Sequence, residues 1–255
     1  MTESEKKEND AMGFWKAHVA PNFHGILDGN GWSWSDEKQG YRSASGSWLA
    51  GSDMDALARS VLVSAEAELE QNAISLLPNV SEWFHRMNHL TTTEMIVLGF
   101  FAEGGIGNLD EKSKAAIEGM ESTDDRVGSG LSDIRMRLNN FASELRDGDA
   151  GSMKQVTNRS GLYSHAAWEV YQECRRISHE KATDEYGRKL FLFEKNILDD
   201  QAHHCFTTSS FPGCPEQTAK GWVPIGTLPA PGKRMCGANC RCRLSFALMP
   251  DTFGD

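Results

Sequence analysis

The sequence predicts an α+β protein, a mostly α-helical body followed by a small Cys-rich, Pro-rich C-terminal module of short strands and loops. Three observations predict it. Between residues 51 and 181, apolar residues recur at three- and four-residue steps, the period of helices that bury one face. All but one of the six cysteines crowd between Cys205 and Cys242. Pro212, Pro215, Pro224, Pro229 and Pro231 fall in the same stretch, where a fixed φ and a missing N–H rule out long helices. The 255 residues therefore divide into a loop-rich aromatic arm (1–50), a helical domain (51–150) and a C-terminal domain (151–255) that carries the cysteine cluster at 205–242.

In the arm, Phe14, Trp15, Phe23, Trp32, Trp34, Tyr41 and Trp48 are interleaved with glycines and serines. Disordered tails are poor in aromatics, so these rings are expected to pack, on the body of the same chain or on another subunit. Ser52 or Asp53 caps a first helix that runs to Leu77 and stops at Pro78, with Met54, Leu57, Val61, Leu62 and Leu69 on its apolar side. Shorter helices are expected from Ser81 to His89, from Thr92 to Gly104-Gly105, and from Leu109 to Met120. Leu131, Ile134, Leu138, Phe141 and Leu145 form the seam of a helix from Leu131 to Arg146, capped by Ser132 and followed by Gly148.

Over residues 162–181, Tyr163, Ala167, Val170, Cys174 and Ile177 share a face, and Cys174 reads as a buried small hydrophobe. Arg175, Arg176, His179 and Lys181 lie near that helix's end, where positive charge suits the dipole. Arg188 to Phe193 reads as a strand, with a helical turn from Asn196 to His203 after it. Short strands are expected from Gly221 to Ile225 and from Arg241 to Leu248.

The formal net charge of -10 does not favour sliding along DNA, which needs clustered Lys and Arg; it suits docking onto a basic protein surface. No apolar run reaches the length that spans a bilayer, and Met1 to Asp10 lack the apolar stretch of a signal peptide, so a cytosolic setting without a membrane partner is expected. The chain holds no phosphate-binding Gly-x4-Gly-Lys-Ser/Thr loop, no His-Glu-x-x-His, no Gly-x-Ser-x-Gly and no Gly-x-Gly-x-x-Gly. His85, His89, His165 and His179 are scattered on helical patterns, and Asp124-Asp125 and Asp199-Asp200 read as solvated acidic pairs. A non-enzymatic role is expected.

In a reducing cytosol, clustered thiols read first as metal ligands and second as disulfides. Tetrahedral zinc takes four soft or borderline ligands from two chain segments. Cys205 and Cys214 offer one pair, two of Cys236, Cys240 and Cys242 the other, and His203 and His204 are further candidates. A short, proline-rich segment buries little apolar surface, so a structural zinc or a cross-link would replace the missing core. Glu216 is the only carboxylate between Cys205 and Cys242; it reads as a loop residue rather than as the base a catalytic zinc would need.

The segment Ala202-His203-His204-Cys205, then Cys214-Pro215, Trp222, Ile225-Gly226, Leu228-Pro229-Ala230-Pro231-Gly232, Cys236 and Asn239-Cys240-Arg241-Cys242-Arg243-Leu244 has a specific order and ending. It resembles the C-terminal signature of the phage head-morphogenesis family of Mu F-like minor capsid proteins. The resemblance covers roughly residues 155–248, and residues 1–150 carry none. It departs at one place: the family's first two cysteines are usually two residues apart, whereas here Phe206 to Gly213 separate them.

The resemblance implies a virion structural protein of a tailed bacteriophage, present in few copies in the head and in the host cytoplasm during assembly. It would act in procapsid assembly, with the portal or the major capsid protein as partner. Arg234, Arg241 and Arg243, with Lys220 and Lys233, make residues 216–245 locally basic and offer contacts to packaged DNA. Two alternatives stand beside this reading: a zinc-dependent nucleic-acid-binding module acting in DNA packaging or ejection, and a phage-encoded enzyme of the nuclease or transferase-toxin type.

Overall fold

The computed structural model describes residues 27–35, 37, 40–49, 51–72, 87, 90, 91, 94–96, 98, 99, 125–184, 186–199, 205–237 and 240–248. The expected helix at 109–120 and most of those at 81–89 and 92–105 lie outside the described residues, as do the aromatic residues Phe14, Trp15 and Phe23.

Trp32–Ser35 (β1) and Gly40–Ser43 (β2) pair antiparallel, with Trp34 opposite Tyr41. Those two rings meet edge to face at 4.9 Å. Tyr41 is buried, and Trp32, Trp34 and Leu49 pack on the main core, whereas Trp48 stays exposed. Part of the arm thus forms a hairpin whose rings pack on the same chain.

Met54, Leu57, Ala58, Val61, Leu62, Ala65 and Leu69 recur at helical steps along Gly51–Asn72 (α1), and all are buried. The remainder of the helix expected to reach Leu77 lies outside the described residues. Asp125–Asp147 (α2) buries Ile134, Leu138 and Phe141, the seam that the periodicity gives. It begins at Asp125 rather than Leu131, so Ser132 lies within the helix and cannot cap it. Met153–Lys181 (α3) likewise begins before residue 162. Its start is a capping box: Ser152 Oγ accepts from the Gln155 N–H, and Gln155 Oε1 accepts from the Ser152 N–H at 2.7 Å.

α1 and α3 lie against each other. Met54, Leu57 and Val61 share one cluster with Ala167, Val170, Tyr171, Cys174 and Ile177, and Leu27, Tyr41, Ile96 and Ile134 join it. The cluster draws on the arm, the helical segment and the C-terminal segment together. Gly99 approaches α3 closely, because a Cβ there would sit 2.6 Å from Cys174 Cβ and 2.7 Å from the Tyr171 carbonyl oxygen. Leu69, Met87, Leu138, Phe141 and Val156 form a second cluster where α2 meets the start of α3.

Phe193–Ile197 (β3) is the central strand of an antiparallel sheet, flanked by Val223–Pro224 (β4) and Arg243–Ala247 (β5). Cys214–Ala219 forms a short helix (α4) between β3 and β4. The architecture is therefore α+β, with helices and small antiparallel sheets.

The strand expected at Arg188–Phe193 begins only at Phe193, and the helical turn expected from Asn196 is absent at Asn196 and Ile197, which belong to β3. The reason is inverted polarity. Glu194 and Asn196 are the fully buried residues of β3, while Phe193, Lys195 and Ile197 are half-buried, so the apolar pattern points to the wrong residues. β5 has one edge on β3, and α3 serves its other edge. Trp168 Nε1 donates to the Cys242 carbonyl at 2.7 Å, Arg175 donates to the Leu244 carbonyl at 2.7 Å, and Gln172 Oε1 accepts from the Leu244 N–H at 3.0 Å. Helix side chains thus satisfy the backbone groups that a neighbouring strand would otherwise take.

Candidate metal centre

Cys214 stands at the first position of α4, with Pro215 beside it and Gly213 as N-cap. The stretch Phe206–Gly213, which separates Cys205 from Cys214, closes on itself. Thr208 N–H donates to the Phe211 carbonyl at 2.9 Å, Gly213 N–H to Thr207 Oγ1 at 2.8 Å, and Thr207 N–H to Glu216 Oε1 at 3.1 Å. The Cys214 N–H then reaches the Cys205 carbonyl at 3.0 Å, so the longer loop still sets these two cysteines side by side. Only glycine fits at 213. A Cβ there would lie 2.4 Å from Thr207 N and 2.5 Å from the Cys205 carbonyl oxygen, both backbone atoms. Glu216 is accordingly a helix residue that holds the loop, not an open-loop carboxylate.

The second segment enters through Leu228-Pro229-Ala230-Pro231-Gly232. Its prolines cannot donate, so it docks on buried charge. Glu194 Oε1 accepts from the Leu228 N–H at 2.7 Å, and Arg176 donates to the Leu228 carbonyl at 2.7 Å. Arg176 in turn pairs with Glu194 at 2.9 Å and Glu173 at 3.1 Å. The Gly237 N–H then bonds the Arg234 carbonyl at 2.8 Å and the Cys240 N–H the Gly237 carbonyl at 3.0 Å, which brings Cys236 and Cys240 round to Cys214.

The thiols of Cys214, Cys240 and Cys242 all lie within 4.8 Å of one another, and all three are buried. Cys236, half-buried, is 3.6 Å from Cys214, and Cys240 is 3.8 Å from it. With Zn–S bonds of about 2.3 Å, the edge of a sulfur tetrahedron is about 3.8 Å. A disulfide would need about 2.0 Å, and all of these cysteines are free. The spacing therefore fits thiols gathered around one ion. Cys205, also half-buried, stands behind Cys236: its backbone N–H and its thiol both hydrogen-bond that sulfur. His203 and His204 lie outside the described residues.

Without an ion the inner thiols hold their protons. The hydrogen bond with Cys240, together with burial, pushes the Cys214 thiol up to about 12, and the hydrogen bond with Cys214, together with burial, pushes Cys242 up to about 11. A metal must displace those protons to bind.

The three basic residues singled out for DNA divide differently. Arg234 is 2% exposed; it donates twice to the Pro229 carbonyl and once to Asn196 Oδ1, and is not a surface contact. Arg243 is partly exposed and pairs with Asp55 at 3.2 Å. Arg241 faces solvent, while its carbonyl accepts from Arg59 at 2.8 Å. Arg175, Arg176 and His179, read from the sequence as positive charges that suit the helix dipole, are buried. Arg175 pairs with Asp55 at 3.2 Å, and His179 stacks on Phe246 at 4.0 Å.

Asp55, Asn196 and Arg234 are structural participants that the sequence reading does not single out for this role. One sequence signal existed for Asp55, a lone carboxylate between the apolar positions Met54 and Leu57 of α1. Compared with family models, curated proteins and solved structures, the chain matches none of them.

Proposed function

We propose that this chain is a minor capsid, head-morphogenesis protein of a tailed bacteriophage, non-enzymatic, whose C-terminal module is pinned by a structural zinc. The zinc reading is carried by one observation: the buried thiols of Cys214, Cys240 and Cys242 lie within 4.8 Å of one another, with Cys214 and Cys240 at 3.8 Å, the edge length of a sulfur tetrahedron. A donor set of sulfur alone selects zinc or an iron–sulfur centre over hard cations, and zinc needs no redox partner. Cys214, Cys240 and Cys242 would be its inner ligands, with Cys236 as the fourth.

The capsid reading rests on the Leu-Pro-x-Pro-Gly and Asn-Cys-Arg-Cys signature within residues 155–248. The portal or the major capsid protein is the proposed partner. Contact with packaged DNA draws no support from Arg234, which is buried, whereas Arg241 faces solvent and Arg243 is exposed but paired with Asp55.

Metal analysis with a thiol count tests the site: one zinc per chain, with thiols protected until a chelator is added, is the expected result. Iron, or no metal with oxidised cysteines, would refute it. Co-purification with portal or capsid from infected cells tests the role; absence from both particles and assembly intermediates would count against it.

A further inference from the structure

We infer that Arg234 is the built-in countercharge of the metal–thiolate cluster and sets how tightly the cluster holds its ion; this rests on the metal reading above. Among the described residues three arginines are buried, and two of them face carboxylates. Arg175 has Asp55 at 3.2 Å, and Arg176 has Glu194 at 2.9 Å and Glu173 at 3.1 Å. Arg234, at 2% exposure the most buried of the three, has no carboxylate at ion-pair distance among the described residues. Its acceptors are the Pro229 carbonyl, at 2.8 and 2.7 Å, and Asn196 Oδ1.

A buried guanidinium with only neutral acceptors is costly unless an anion lies close by. The nearest candidate is sulfur, since Arg234 reaches Cys214 Sγ at 4.0 Å. A divalent ion held by three thiolates carries one net negative charge, and by four, two; Arg234 cancels all or half of it. The arrangement is also braced. Asn196, buried in β3, donates to Thr218 Oγ1 at 2.6 Å and to the Cys214 carbonyl at 3.3 Å while it accepts from Arg234. One side chain thus ties the guanidinium to the helix turn that presents Cys214. Arg234 touches no ion itself, so it is a positioning residue for charge.

The experiment uses the full chain. Zinc affinity is measured by competition with a chromophoric chelator for wild type, Arg234→Gln and Arg234→Lys, and each is melted with zinc and after chelation. Loss of an outer-shell partner typically costs 10–100-fold in metal affinity. Arg234→Gln is expected to bind zinc about 10–100-fold more weakly, Arg234→Lys within about threefold of wild type, and the Gln variant to lose more thermal stability with zinc than without. Equal losses in both variants, wild-type affinity in Arg234→Gln, or a melt shifted equally with and without zinc would make Arg234 a packing residue and overturn the inference. Should Arg234→Gln fail to fold, Arg234→Lys decides alone: retained affinity supports the countercharge, and a tenfold or greater loss overturns it. A wild-type chain that takes up no zinc refutes the metal reading first, and this inference with it.

Discussion

Glu94 lies along a cavity with Ser64, Glu68 and Thr91, and burial, followed by repulsion from Glu68, pushes its carboxyl up to about 7. Its ordinary value of 4.5 applies in the unfolded chain. Between those values the folded state holds a proton that the unfolded state has released. Stability from this group is therefore lost as pH rises through that window, by at most about 3 kcal/mol. Glu94→Gln is expected to flatten the difference between melts at pH 5 and pH 8 and to raise the melting temperature at the higher pH. A variant whose pH profile runs parallel to wild type would assign the effect to other groups. Individual side chains differ in how far the sequence reveals them. Cys174 reads correctly as a buried small residue because its neighbours at helical spacing are apolar. Asp55 does not, because its partner Arg243 lies 188 residues away and no local pattern records that pairing.

The elements show the same division. The apolar faces of α1, α2 and α3 were readable, because burial of one helix side imposes a period. Their starts are not marked by the apolar period where the first turns are polar, although Ser152 and Gln155 at capping-box spacing do mark the beginning of α3. β3 is hidden from the apolar pattern because it buries Glu194 and Asn196, whereas the thiols are legible because cysteines crowd in sequence before they crowd in space. The latch between α3 and β5 yields a prediction. Trp168 is 3% exposed, and its indole N–H satisfies the buried Cys242 carbonyl at 2.7 Å. Trp168→Phe keeps an aromatic ring in place but leaves that carbonyl without its donor, and it weakens the stacking of Arg59 at 4.8 Å. The expected cost is about 1–3 kcal/mol in urea unfolding, with the helical circular dichroism of the native state unchanged. Unaltered stability would mean that water or another donor replaces the indole without penalty.

Two kinds of interior hold the protein together, and they respond differently to loss of metal. The main cluster around Met54, Tyr171 and Cys174 is apolar and spans α1, α3 and the hairpin of β1 and β2; it needs no ion. The cluster at the heart of the C-terminal module is Cys214, Cys240 and Cys242 with Leu198 and Cys236 packed on them, and the other apolar residues buried there, Leu228, Ala230 and Leu244, add little apolar area to it. Binding of an ion there is folding free energy for that module. β5 joins the two interiors through Trp168, Gln172 and Arg175, and Asp55 ties α1 to Arg243. Chelation is therefore expected to open the chain in two tiers, followed by amide hydrogen exchange. Amides of residues 205–237 should lose protection first, β5 should weaken in part because α3 still holds its outer edge, and amides of α1 and α3 around the main cluster should stay protected. Simultaneous loss of protection in α3 and the cysteine module would show one cooperative unit instead, in which the thiol cluster stabilises the helices as well as the tail.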